Sequence, residues 1–179
     1  PEFDWKICAA CETIECSKTC AAGALKQPVR EMTVDELIAV LLRDHNNWGS
    51  KGGVTFTGGE PLMQYDFLLA VLKECRKKWI HTAIETSGFI STEKFLKVFS
   101  LLDFAFVDVK NMDDEAHKWG TGVSNRQTLQ NISALANSNW RGRLVLRIPT
   151  IHGFNDSDEN AHKVIDFMPD QSDEINKGG

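Results

Sequence analysis

From residue 33 onward, hydrophobic positions repeat by turns at about every 3.6 residues and at every second residue, which is the pattern of successive β-α units. Thr33 with Glu36 forms a capping box ahead of a helix that carries Leu37, Ile38, Leu41 and Leu42 on one face and ends near Asn46-Asn47. A short strand, Val54–Thr57, runs into Gly58-Gly59-Glu60-Pro61. A helix then spans about Tyr65 to Lys78, with Phe67, Leu68, Val71 and Leu72 apolar. Next come a strand at His81–Glu85 and a helix capped by Ser91, with Glu93 in its first turn and Phe95, Leu96, Val98 and Phe99 as its apolar set. A strand at Phe104–Val109, a helix from Asn125 to Ala136 striped by Leu129, Ile132 and Leu135, a strand at Arg143–Ile148 and a helix at Asp156–Phe167 complete the series. Four strands alternating with helices imply an α/β fold, either a parallel sheet or part of a (β/α) barrel. In both, the loops at the carboxyl ends of the strands form the functional face.

The residues with chemistry collect at those ends. Gly58 and Gly59 lack Cβ and let a ligand approach the backbone; an ordinary βα turn is the plain alternative. Glu85-Thr86-Ser87-Gly88 brings a carboxylate and two hydroxyls, although helix capping would also explain the hydroxyls. Alternation points Asp108 and Lys110 the same way, as a mutual salt bridge or as a grip for an amino-acid zwitterion. Arg147 lies between Leu146 and Ile148, where a lone charge is costly, so it requires an anionic partner from protein or ligand.

Composition narrows the classes of function. With 20 Lys+Arg against 25 Asp+Glu, the net charge of −5 excludes nucleic-acid binding by bulk electrostatics. No apolar run reaches the roughly 20 residues of a membrane span, and no secretory leader is visible, so the expected location is cytoplasmic. Of the five cysteines, Cys8, Cys11, Cys16 and Cys20 form C-x2-C-x4-C-x3-C, while Cys75 falls in the Tyr65–Lys78 helix and reads as a small buried apolar residue. The quartet admits two disulfides, a zinc site or an iron–sulfur cluster. An iron–sulfur cluster is favoured, because the first and last spacings match the bacterial ferredoxin run. The middle spacing differs, and Ala21 stands where that run has proline.

Together these residues resemble the radical S-adenosylmethionine (SAM) enzymes that activate glycyl radical enzymes, the pyruvate formate-lyase-activating enzyme family. The resemblance is carried by Thr57-Gly58-Gly59-Glu60-Pro61, Glu85-Thr86-Ser87-Gly88 and Asp108-Val109-Lys110-Asn111-Met112-Asp113. It continues through His117, Thr121-Gly122, Asn125 and Leu129-Gln130-Asn131 to Leu146-Arg147-Ile148-Pro149 and Gly153-Phe154-Asn155-Asp156. The ordered set covers most of the chain.

The resemblance implies a partial (β/α) barrel over residues 31–179, lacking its first and last strands. Residues 1–30 would be part of a Cys-rich ferredoxin-like insert. It implies SAM across the strand ends, with Gly58, Gly59 and Glu60 at the methionine amino group, Asp108, Val109 and Lys110 at the methionyl or ribosyl portion, and Arg147 near the carboxylate. Glu85 and Thr86 occupy the place of a monovalent-cation site in some members. In the family a reduced 4Fe-4S cluster cleaves SAM, and the resulting radical takes hydrogen from a glycine of the partner. A glycyl radical enzyme such as pyruvate formate-lyase is the implied partner, and reduced flavodoxin or ferredoxin the electron donor. Cys8, Cys11, Cys16 and Cys20 match the family's auxiliary cluster. The catalytic cluster's C-x3-C-x2-C has no counterpart in this chain, so its ligands are expected outside it and the chain alone is expected to be inactive. The competing readings are a 7-carboxy-7-deazaguanine synthase-like radical SAM enzyme, an iron–sulfur electron carrier using only the cysteine loop, and a zinc-stabilised interaction domain.

Overall fold

The computed structural model describes residues 15–19, 30–49 and 52–168. The chain divides into two compact units, Pro1–Thr33 and Val34–Gly179. In the first, the described element is a five-residue helix, α1 (Glu15–Thr19), which exposes Cys16. Cys8, Cys11 and Cys20 lie outside the described residues, and with them the expected cluster.

The second unit alternates strand and helix: α2 (Val34–Arg43), β1 (Val54–Phe56), α3 (Tyr65–Lys77), β2 (Thr82–Thr86), α4 (Thr92–Phe99), β3 (Phe104–Asp108), α5 (Asp114–Thr121), α6 (Arg126–Ala136), β4 (Arg143–Arg147) and α7 (Asp158–Phe167). The four strands form one parallel sheet in the order β1-β2-β3-β4. Each strand pairs with the next after a helical crossover, which is how parallel neighbours must be joined. One helix was not expected. Between β3 and α6, α5 is set by Asp113, whose side chain accepts from Ala116 N at 2.8 Å, and by Gly122, which closes it at φ +81°. Its core-facing stripe is thin, with only His117 buried, so the hydrophobic period does not mark it.

Register assigns the two faces. Ile84, Ala105 and Leu144 stand side by side, as do Thr86, Val107 and Leu146, and this face packs on the helices. Phe95 stacks on Phe99 at 3.9 Å between ring centroids, and Trp140 meets Phe99 edge-on at 5.7 Å. Fifteen buried residues join this cluster; Leu72, Ile84, Phe95, Val98, Phe99, Ala105, Val107 and Ile132 are fully enclosed. A smaller cluster under α2 holds Ile38, Val71, Ile80 and Cys75. Cys75 is enclosed as expected, and burial, with a smaller contribution from Glu74, pushes its thiol up to about 11. Leu42, expected on the apolar face of α2, is instead exposed. Ser91 stands at the cap position of α4 but makes no side-chain capping bond; its carbonyl accepts from Phe95 N at 2.9 Å.

The other face of the sheet carries Glu85, Phe106 and Val145 in one row and Asp108 beside Arg147 in the next. It is only partly covered, and it ends in charge.

Candidate active site

At the carboxyl end of β1 the chain turns through Gly58 at φ +83° and Gly59 at φ +40°, conformations that favour glycine. A Cβ at either residue would meet no atom within 4 Å, so the turn shows bare backbone to open space. Glu60 follows and reaches the end of β2. Its Oε1 accepts from Thr86 Oγ1 at 2.5 Å and from Leu62 N at 3.1 Å, and its Oε2 accepts from Ser87 N at 2.8 Å and Ser87 Oγ at 2.7 Å. A carboxylate offers about four lone-pair sites, so this one is filled from within the chain. Glu60 therefore acts as a tie that fixes the glycine turn to β2.

The charged row lies on the other side of β2. Arg147 Nε donates to Asp108 Oδ1 at 2.8 Å, and its Nη1 donates to Glu85 Oε2 at 3.1 Å. These two carboxylates, Asp108 first, raise the Arg147 guanidinium above its ordinary value and keep it charged. The protein thus supplies the anionic partner that the sequence demanded. Lys110 Nζ stands 3.8 Å from Asp108 Oδ2, an ion pair too long to be a hydrogen bond. Thr57 Oγ1 reaches Glu85 Oε2 at 3.4 Å. Alternation separates Glu85 from Thr86: Glu85 joins the charged row, whereas Thr86 is buried, donating to Glu60 and accepting from Gly88 N at 2.9 Å. Val109 is buried with its side chain in the core, and its amide donates to the Arg147 carbonyl at 2.9 Å.

Buried asparagines hold the loops around this row, a function the sequence reading did not assign. Asn155 Nδ2 donates to the carbonyls of Lys110 (2.7 Å) and Pro149 (3.0 Å), tying the loop after β3 to the loop after β4. Asn125 Nδ2 donates to the carbonyls of Asn111 and Met112, and Asn111 Nδ2 to that of Phe154. Asn131 Nδ2 donates to the carbonyls of Gly88 and Ile90, both at 2.8 Å. Each amide satisfies backbone groups of irregular segments that would otherwise be costly to enclose.

Asp114, at the start of α5, adds an electrostatic fastening. The hydroxyl of Ser124, at 2.6 Å, contributes most to lowering its carboxyl to about 2, helped by Lys118 and by the Asn125 amide. A depressed carboxyl stabilises the fold above its unfolded value near 3.9, and this contribution is lost as pH falls from about 4 through 2. The thermal midpoint of Asp114→Asn should therefore lie below that of the unsubstituted protein at pH 6, with the gap narrowing between pH 4 and 2. A gap that stays constant through pH 2 would contradict this assignment.

The sequence pattern of the radical SAM superfamily matches residues 17–165, a span that includes the glycine turn after β1 and the charged ends of β2, β3 and β4. The chain belongs to the radical SAM superfamily. It is 61% identical to the 4-hydroxyphenylacetate decarboxylase activating enzyme of Clostridium scatologenes over 93% of this chain and 54% of that protein. It is 57% identical to the same enzyme of Clostridioides difficile (strain 630), over 94% of this chain and 53% of that one. The chain thus spans about half the length of these curated relatives. Among solved structures, a domain of pyruvate-formate lyase-activating enzyme from Bacteroides vulgatus ATCC 8482 aligns with TM-score 0.58 and 33% identity, over 65% of this chain and 71% of that one. The SAM-bound form of Streptococcus suis SuiB aligns with TM-score 0.60 over 78% of this chain and 31% of that one, at 17% identity, a likeness of fold alone.

Among the described residues, no group of three or more His, Cys, Asp or Glu side chains is placed to hold a metal ion, and no helix is long and apolar enough to cross a membrane.

Proposed function

We propose that this chain is the SAM-holding part of a cytoplasmic activating enzyme whose partner is a glycyl radical enzyme of the 4-hydroxyphenylacetate decarboxylase kind. The observation that carries the reading is the 61% identity over 167 residues, which include every strand end of the site. It favours 4-hydroxyphenylacetate decarboxylase over the pyruvate formate-lyase suggested by sequence resemblance, since the domain of pyruvate-formate lyase-activating enzyme from Bacteroides vulgatus is 33% identical over 65% of this chain.

The donor set suits SAM. Its ammonium and carboxylate need paired charges, and its bulk needs backbone free of side chains. Asp108 and Lys110 offer the charges, and Gly58 with Gly59 the open backbone. Arg147 orients Asp108 and Glu85 and remains charged. Val109 contributes through the main chain, and the cation site expected at Glu85 and Thr86 reduces to Glu85, because the Thr86 hydroxyl is engaged. When bound, SAM and a reduced 4Fe-4S cluster supply the one-electron chemistry that removes a hydrogen atom from the partner's glycine. The electron donor remains a reduced flavodoxin or ferredoxin in this reading. The catalytic cluster's ligands lie in the rest of the protein, and Cys8, Cys11, Cys16 and Cys20 hold an auxiliary cluster.

The test uses the full-length protein with its clusters reconstituted anaerobically. Incubation with SAM, dithionite and 4-hydroxyphenylacetate decarboxylase should yield 5′-deoxyadenosine and a glycyl radical signal on the decarboxylase by electron paramagnetic resonance. 5′-Deoxyadenosine without that signal would reject the partner. Charge-assisted hydrogen bonds are worth about 1.5–3 kcal/mol each, so Lys110→Met or Asp108→Asn should weaken SAM binding roughly ten- to a hundredfold at about 1.4 kcal/mol per decade. Equilibrium SAM affinities equal to that of the unsubstituted protein would remove the strand-end site.

A further inference from the structure

At the amino end of the sheet, away from the charged row, one residue is held in a conformation that its side chain disfavours. Helix α3 ends in a Schellman motif: Ile80 N donates to the Cys75 carbonyl at 3.0 Å and Trp79 N to the Arg76 carbonyl at 3.2 Å, while Ile80 and Cys75 share one buried cluster. The residue before Ile80 must then be left-handed, and glycine is the usual choice there. Here it is Trp79, at φ +56°, the one non-glycine residue with positive φ among those described. A side chain in that conformation crowds the following carbonyl. Packing does not offset the strain, because Trp79 is 94% exposed. A strained aromatic residue displayed to solvent is a feature of binding surfaces.

The surface around it is basic and grooved. Two hollows, of about 490 Å³ and about 410 Å³, share Arg76, His81 and Asp103 and together run along the starts of β2, β3 and β4. Trp79, Ile80 and Leu101 line one of them, and Leu96, Ser100, Ser138 and Trp140 the other. Arg76, Lys77, Lys78, Arg141 and Arg143 gather at this end of a chain whose net charge is −5. The nearby acids are engaged within the chain: Glu74 pairs with Lys77, and Asp103 Oδ2 accepts from Thr82 N at 2.8 Å and from Thr82 Oγ1 at 3.3 Å. Cations in the last turn of a helix complement its dipole, which accounts for Arg76 and Lys77. It accounts neither for Arg141 and Arg143, which precede and open β4, nor for an exposed indole.

Basic side chains, a displayed Trp and paired hollows of small-ligand size match a polypeptide segment that carries carboxylates and an apolar side chain. Trp and Arg are the residues that most often dominate such contacts. A nucleic acid would meet a chain of net negative charge, and a layer of lipid headgroups would leave the hollows unfilled. We infer that this end of the sheet docks an acidic segment of a partner protein, with its carboxylates on Arg76, Lys78 and Arg143 and its apolar side chain against Trp79. Strands β2 and β3, five residues each at about 3.3 Å per residue, hold this surface roughly 16 Å from the strand-end site. The inference therefore goes beyond the activating function and stands apart from it.

The probe is a fluorescent peptide of repeated Asp-Glu-Leu-Phe units, titrated into the full-length protein and followed by anisotropy. It should bind at low salt and weaken about tenfold as the ionic strength approaches about 0.5 M, and a peptide with Asn and Gln in place of the acids should not bind. Trp79→Gly should weaken binding roughly thirtyfold, and Lys78→Glu about tenfold. Glycine suits the left-handed position, so Trp79→Gly should hold or raise the thermal midpoint, which separates lost binding from lost fold. SAM affinity should be the same in both variants. No binding of the acidic peptide, or equal binding to Trp79→Gly, would overturn the assignment. Trp79-dependent binding of phosphatidylserine vesicles without binding of the peptide would overturn it too, as a lipid contact. A lowered thermal midpoint in Trp79→Gly would make Trp79 a structural residue and end the proposal.

Discussion

Replacing Glu60 by Ala in the full-length protein should reduce SAM affinity by more than a hundredfold, a larger loss than removal of either Lys110 or Asp108. The four groups that donate to its carboxylate are Thr86 Oγ1, Ser87 N, Ser87 Oγ and Leu62 N. Hydrogen bonds to a charged acceptor are worth about 1.5–3 kcal/mol each, and they are not additive here because they share one group. A loss of about 3–5 kcal/mol is the order expected when a partly buried network of this kind is cut. Part of it falls on the glycine turn, which Glu60 ties to the end of β2 by three of these bonds, while Thr57 before the turn adds a longer one to Glu85 at 3.4 Å. With that tie gone, Gly58 and Gly59 regain the conformational freedom that makes glycine costly to order, and binding must order them again. Glu60→Gln offers one acceptor oxygen and turns an NH2 toward groups that are themselves donors, so it should recover little. The measurements are SAM titration and amide exchange across residues 57–62. An affinity within threefold of the unsubstituted protein, with unchanged exchange, would show that the turn holds its shape without the carboxylate.

That carboxylate also marks how far the site was legible in the sequence. Alternation alone put Asp108 and Lys110 on one face, and the cost of an unpaired charge required a partner for Arg147; both follow from local rules and both appear in the structure. The direction of Glu60 follows from no local rule. It is set by where β2 ends relative to β1, a register spanning 26 residues or more of sequence. The fold divides in the same way. The strands and the long helices announce themselves through apolar periods, and their ends differ from the expected ones by a residue or two, except that α2 stops at Arg43, with a separate 3-10 turn at His45–Asn47 where its end was expected. The helix α5 has almost no apolar period, and its signal is chemical: Asp113 before it, Asp114 and Glu115 in its first turn, Gly122 after it. The buried asparagines are the hardest to read, because the residue type that favours exposed turns here serves to line the inside of loops.

The largest effect on stability is expected from one of them. Asn131, on α6, has no solvent exposure and uses its whole amide: Nδ2 donates to the Gly88 and Ile90 carbonyls, and Oδ1 accepts from Thr92 Oγ1 at 2.7 Å and Gln127 Nε2 at 3.1 Å. Through it α6 closes the loop between β2 and α4, the loop that also contains Ser87 and Phe89. Asn131→Ala leaves two carbonyls and a hydroxyl enclosed without their partner, at about 1–3 kcal/mol for each unsatisfied group, together with a small cavity beside Ile132. A net loss of about 3–4 kcal/mol is expected once the loop relaxes and water enters. At roughly 2–4 °C per kcal/mol for a protein of this size, the thermal midpoint should fall by about 6–16 °C. Asn131→Asp tests the cause independently of volume. It keeps the size and the Oδ1 acceptor but puts an oxygen against two carbonyl oxygens, so at pH 7 it should destabilise at least as much as alanine and recover partly as the carboxyl is protonated. If Asn131→Asp were as stable as the unsubstituted protein, the amide donors would not be what closes this loop. If only Asn131→Ala lost stability, the effect would be the cavity and not the hydrogen bonds.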